Sequence, residues 1–217
     1  MANILFDIDD TLFPSTEFSA LARKNAVNSM ISMGLAHSSD SVLKRLNAII
    51  ESKGSNYTRH FDDLCAELGV DEPARYVAAA VAAYHDTKTA IAPFPQVPLT
   101  LLKLKEKGHR LHVATVGSSI KQWDKLIRLR IALFFDNAFV SDDLGHDKSE
   151  EFYKEIIRRL GAAPRDCIMV GDREDRDILP AKAAGMGTVR IFAGKHAGVP
   201  TSADRSVKDF SDLASML

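Results

Sequence analysis

Short apolar runs recur at 3–8, 110–115, 138–141, 167–171 and 188–192, and each predicts a β-strand. A run such as Ile168-Met169-Val170 has no polar face, as expected of a strand covered by helices on both sides of its sheet. Between the later runs the period lengthens. Leu99, Leu101, Leu102 and Leu104, then Trp123, Leu126, Ile127 and Leu129, then Phe152, Ile156, Ile157 and Leu160 recur at roughly the three-to-four-residue spacing of an amphipathic helix. Strand and helix therefore alternate, which predicts an α/β fold: a Rossmann-like three-layer sandwich around a central parallel sheet.

One tract breaks the alternation. From 15 to 92 only helical patterns occur, over 17–33, 41–52, 60–68 and 73–84, with breaks at Gly34, Gly54, Gly69 and Pro73. Beyond it stands Pro93-Phe94-Pro95-Gln96-Val97-Pro98, too rich in proline for a helix or a central strand, and read as a hinge. The expected organisation is a core built from 1–14 and 93–217, with an inserted α-helical cap over 15–92. The stretch 207–217 reads as one closing helix.

Composition acts mainly by exclusion. The 217 residues are 46% hydrophobic and 26% charged, enough for a full-sized core. A formal net charge of −1 gives no basic footprint for nucleic acid, so a small molecule is the expected partner. Asp7, Asp9 and Asp10 interrupt any secretory leader, and the apolar run 77–84 is too short to span a bilayer, so no membrane association and a cytoplasmic location are expected. Cys65 and Cys167 have no ligand-like spacing and read as buried apolar residues. Oligomeric state is left open, a homodimer included.

The chemistry lies just beyond the strands, where a parallel sheet places its ligands. The first run ends in Asp7-Ile8-Asp9-Asp10-Thr11. Side chains alternate along a strand, so Asp7 and Asp9 leave from one side while Ile8 turns away. Two carboxylates sharing a small volume call for a hard metal ion or for a split of protonation roles. Asp7 can then serve as a nucleophile and Asp9 as acid and base, although an acidic surface turn has the same composition. Thr115 ends another strand before Ser119 and Gln122, which are spaced as a capping box, so a hydroxyl beside a helix N-terminus offers a phosphate seat. Lys148 can bind phosphate and neutralise a carboxylate. Gly171-Asp172 closes a further strand, and Asp172 can share Mg²⁺ with Asp7. Asp177 precedes Pro180 and Gly185, which frame a short helix, so it also reads as an N-cap. Glu174 and Asp175 read as solvated partners of Arg173 and Arg176.

In this order Asp7-Ile8-Asp9-Asp10-Thr11, Thr115, Lys148 and Gly171-Asp172 with Asp177 resemble the haloacid dehalogenase superfamily of aspartyl-nucleophile hydrolases along essentially the whole chain. The resemblance implies Asp7 and Asp9 as catalytic residues, Thr115 and Lys148 as phosphate ligands, Mg²⁺ on Asp7, Asp9 and Asp172, and Asp177 as support behind them. It also makes the helical insertion a cap that reads the substrate, with Asn56, Tyr57, Arg59 and His60 as candidates. Tyr84-His85-Asp86-Thr87-Lys88, Lys121-Gln122-Trp123 and Gly194-Lys195-His196 look like archaeal members described as glyceraldehyde 3-phosphate phosphatases. The implied activity is hydrolysis of a small phosphomonoester through an aspartyl-phosphate. Two departures stand out: Val116 where the family has Asn or Asp, and Ser149 where it commonly has proline. A phosphotransferase or mutase would keep every motif, and a weakened phosphate-binding regulator is conceivable because of Val116. A dehalogenase would have no use for Asp9 or for a divalent metal.

Overall fold

The computed structural model describes residues 1–55 and 57–217. Among them six strands form one parallel sheet: β1 (Asn3–Phe6), β2 (Arg110–Thr115), β3 (Asn137–Val140), β4 (Cys167–Gly171), β5 (Gly187–Ile191) and β6 (Arg205–Val207). Their order is β3-β2-β1-β4-β5-β6, so the chain builds outward from β1 on one side and from β4 on the other. The order reverses between these two strands, and their carboxyl ends bound the crevice where such sheets bind ligands.

The helices are α1 (Ser15–Ser32), α2 (Ser39–Lys53), α3 (His60–Glu67), α4 (Pro73–Thr89), α5 (Val97–Glu106), α6 (Ser119–Arg128), α7 (Ser141–Leu144), α8 (Glu150–Leu160), α9 (Leu179–Ala183) and α10 (Leu213–Met216). The chain forms two compact units, Met1–Thr16 with Ala92–Leu217, and Glu17–Ile91. In the first, Leu5 and Met169 of the sheet pack with Phe152, Tyr153 and Ile156 of α8, which face the core at helical spacing. In the second, Val27 and Met30 of α1, Val42 and Leu46 of α2, Leu64 of α3 and Tyr76 of α4 close a separate apolar core. Asn25 donates a hydrogen bond of 2.9 Å to the Thr87 hydroxyl, tying α1 to α4. No described helix is long and apolar enough to cross a membrane.

Three sequence expectations change. Val97 and Pro98, read as part of a hinge that no helix could include, open helix α5, where proline suits the first turn. The stretch 207–217 is not one helix: Val207 ends the edge strand β6 beside Ile191, and the Asp209 carboxylate accepts the Ser211 N–H at 2.8 Å, starting a single 3₁₀ turn before α10. The first strand stops at Phe6 rather than running through the acidic cluster. Asp7 still donates its N–H to Val170 at 3.0 Å, but by Leu12 the chain has turned back to bond the Ile8 carbonyl. Asp9 therefore lies beyond the strand, in an isolated backbone bridge to Phe13.

Candidate active site

Asp7 leaves the sheet beside β4, and its carboxylate meets the Lys148 ammonium at 2.6 Å. The same ammonium donates to Asp177 at 2.6 Å, and both contacts are buried. Lys148 arrives on the loop before α8, whose N-cap is Ser149: its hydroxyl accepts the Phe152 N–H at 3.3 Å. The serine that stands in place of the family's proline thus starts the helix by capping it. Thr115 ends β2 in a buried position. After it, Gly117 donates its N–H to the Ser141 hydroxyl and the Gln122 amide donates to the Val116 carbonyl. The expected capping box does not form, because Gln122 is spent on Val116 and Ser119 binds Asp143.

Asp172 follows β4, and Asp177 folds back over that strand's last residue. Its carboxylate accepts the Arg173 N–H at 3.0 Å. A Cβ at Gly171 would lie 2.3 Å from Asp177 Oδ2, so the close approach requires glycine. Asp177 sits in a π-helical turn, Glu174–Ile178, rather than at an N-cap. Glu174 does not pair with Arg173 or Arg176 either: it accepts from Thr201 and Ser202 and faces the buried Arg190 at 3.5 Å.

Asp7, Asp172 and Asp177 each bring a carboxylate oxygen within 4.8 Å of the others, and all three are buried. Burial pushes the Asp172 carboxyl up to about 8, with repulsion from Asp7 and Asp177 adding to it. Burial likewise outweighs the pull of Lys148 and raises Asp7 to about 6. Burial opposes the charge on Lys148, but Asp177 and Asp7 hold its ammonium above the usual lysine range. One ammonium thus faces three buried carboxylates. Hard oxygen donors with that excess of negative charge fit a divalent cation such as Mg²⁺, which would take the place of the proton on Asp172.

The Asp9 side chain stands apart from this trio. Both its oxygens accept from Lys125 of α6, at 2.8 and 2.7 Å, and it is the more exposed partner of that pair. Asp10 has a left-handed backbone, φ 55°, and its carboxylate accepts the Thr16 N–H at 2.9 Å and the Thr16 hydroxyl. It also presses on Gly194, where a Cβ would lie 2.3 Å from Asp10 Oδ2, so it locks the turn after β1 to the loop after β5. Neither the place of Lys125 nor the structural role of Asp10 is legible from local sequence pattern. Lys125 had no local signal, since its partner lies 116 positions earlier.

Of the cap candidates, Asn56 lies outside the described residues. Tyr57 and His60 meet edge to face at 5.2 Å, and the His60 ring donates to the Gly54 carbonyl at 2.9 Å. Arg59 immediately precedes α3. Tyr57 and Arg59 thus lie in the connection before α3, and His60 opens that helix.

A Rossmann-like parallel sheet that gathers a buried carboxylate, a buried lysine and further acidic groups beyond its carboxyl ends has the form of an aspartate-based hydrolase. The chain belongs to the haloacid dehalogenase-like hydrolase family, whose model matches residues 4–191. Over 211 residues it is 44% identical to a glyceraldehyde 3-phosphate phosphatase of Methanopyrus kandleri, covering 95% of this chain and 91% of that protein. A protein of the same description from Methanocaldococcus jannaschii is 47% identical over 196 residues, covering 89% and 86%. Among solved structures, a HAD phosphatase from Thermococcus onnurineus matches all of this chain and 97% of its own, with a TM-score of 0.70 at 24% identity, a likeness of fold.

Proposed function

We propose that the protein is a Mg²⁺-dependent phosphomonoesterase that hydrolyses a small phosphorylated metabolite, glyceraldehyde 3-phosphate first among them. The observation that carries this reading is the Asp7–Lys148 contact of 2.6 Å inside a buried group of three carboxylates, with the more exposed Asp9 two residues on. The choice of substrate is supported by relatives described as glyceraldehyde 3-phosphate phosphatases, which share 38–47% identity over most of their length.

In the first step an Asp7 oxygen attacks phosphorus as the ester oxygen departs, and Asp9 gives that oxygen a proton. In the second, water attacks the aspartyl-phosphate, Asp9 takes the proton, and phosphate leaves. Phosphate monoesters need on the order of 20 kcal/mol of barrier reduction, beyond what one carboxylate supplies. Lys148 and Thr115 would hold phosphoryl oxygens, with Lys148 also keeping Asp7 ionised. Bound by Asp7, Asp172 and Asp177, Mg²⁺ would supply further positive charge to the transferring group. Recognition of the leaving group falls to the helical unit, to Tyr57, Arg59 and His60. A cytoplasmic setting suits the two free, buried cysteines, Cys65 and Cys167.

Phosphate release from a panel of small esters, with and without Mg²⁺ and repeated on Asp7→Asn, tests the reading. Turnover is expected only with metal and only with Asp7 intact. Equal activity in excess EDTA, or undiminished turnover in the variant, would falsify it.

A further inference from the structure

Lys125 is the one ammonium placed on both oxygens of Asp9, at 2.8 and 2.7 Å among the described residues. Its position is built rather than casual. Helix α6 begins four residues after Thr115. Its first turn is tied down by the Gln122 amide on the Val116 carbonyl and by the Gln122 N–H on the Ser118 carbonyl. Leu126, beside Lys125, is fully buried, and this sets the rotation of the helix. The same strand end that offers Thr115 therefore also aims Lys125 at the turn after β1.

Fold stability does not explain the pair. The two side chains are 27% and 45% exposed, and ion pairs this accessible contribute little to folding. Asp9 lies beyond the last strand residue with its backbone bridged to Phe13, and among the described residues the contacts given for its carboxylate come from Lys125. A group that must face a departing oxygen gains from being held, since misplacement of a proton donor is costly in rate.

We propose that Lys125 is the positioning residue for the proton carrier of this site, an inference that rests on the phosphomonoesterase reading. As the Asp7 oxygen–phosphorus bond forms and the bond from phosphorus to the ester oxygen breaks, the proton on Asp9 moves to that oxygen. Asp9 becomes a carboxylate, and Lys125 holds it on both oxygens. Attack of water on the aspartyl-phosphate then returns a proton to Asp9 and frees Asp7.

The role predicts a dependence on the leaving group. An alkyl phosphate needs its oxygen protonated, whereas p-nitrophenyl phosphate releases a stable phenolate without help. kcat/KM reports only the steps up to departure of the leaving group, so it isolates the acid step for both esters. In Lys125→Met the ratio of kcat/KM for glyceraldehyde 3-phosphate to that for p-nitrophenyl phosphate should fall by about tenfold or more, and Lys125→Arg should recover most of it. The melting temperature should stay within a degree or two of the parent, as for an exposed pair. An equal fall for both esters would show a structural or phosphate-binding lysine and overturn the proposal, as would an unchanged ratio. A parent enzyme that turns over neither ester overturns the phosphatase reading itself. Turnover of both by the parent, with a flat ratio in the variant, leaves that reading standing and removes only Lys125.

Discussion

The two ends of one sheet bury polar groups in opposite ways. At the amino ends of the strands, His112 of β2 is fully buried, with one ring nitrogen 3.2 Å from the Asn3 amide and the other 3.2 Å from the Asn137 amide. Burial pushes this imidazole down to about 4, so it is neutral and satisfied. At the carboxyl ends of β1 and β4, three carboxylates face one lysine, and burial drives Asp172 up to about 8. The first arrangement is complete within the protein. The second is complete only with a further positive charge, which is the mark of a site that binds something.

The contrast is broken most severely at Lys148. Lys148→Met leaves three buried carboxylates without their cation, so it should cost about 3–5 kcal/mol in a urea titration and lower kcat at least about 10³-fold. A stable variant would mean that the cluster is wetter than its geometry implies.

Next in size is the opposite pH response of the two ends. In metal-free protein Asp172 binds its proton more tightly folded, at about 8, than at its ordinary 3.8. Its contribution is fully present below about pH 4 and is lost as pH rises through 8, by up to several kcal/mol. His112 runs the other way: its folded value of about 4 lies below the ordinary 6.5, so its contribution is present above pH 6.5 and is lost as pH falls through 4. Urea midpoints of the metal-stripped protein should therefore fall between about pH 7 and pH 8, where only the carboxyl end still titrates, and Mg²⁺ at pH 8 should restore them. A profile that Mg²⁺ leaves unaltered would count against a cation on Asp7, Asp172 and Asp177.

His112→Ala should cost about 1–3 kcal/mol, because it strips partners from Asn3 and Asn137, while kcat changes by less than about twofold. A large loss of activity would erase the distinction between the two ends. Smallest is the effect expected in the helical unit. Tyr57→Phe or His60→Ala should raise KM for glyceraldehyde 3-phosphate several-fold, with little change in Tm, as read by initial rates and a thermal melt.

The difference between the two ends was only half visible in the sequence. Apolar runs located five of the strands because parallel strands bury both faces, but Arg205-Ser206-Val207 escaped, since an edge strand with one buried residue has no periodic signature. Strand ends named Asp7, Thr115 and Asp172 because sheet topology fixes where such residues converge, while Lys148 stands on the loop before α8. Their partners were less legible. That Asp177 faces Lys148 depends on a π-helical turn over Gly171, and that Lys125 meets Asp9 depends on how α6 is rotated, neither of which local pattern encodes. His112 gave no warning at all, lying within an otherwise apolar run and meeting amides from two neighbouring strands.

The central claim is that Asp7 becomes covalently phosphorylated, and it can be read directly. Acid quench of the enzyme during turnover of glyceraldehyde 3-phosphate, followed by peptide mass spectrometry, should find one phosphoryl group on Asp7, absent in Asp7→Asn. Phosphate on any other residue, or turnover with no covalent intermediate, would contradict the account.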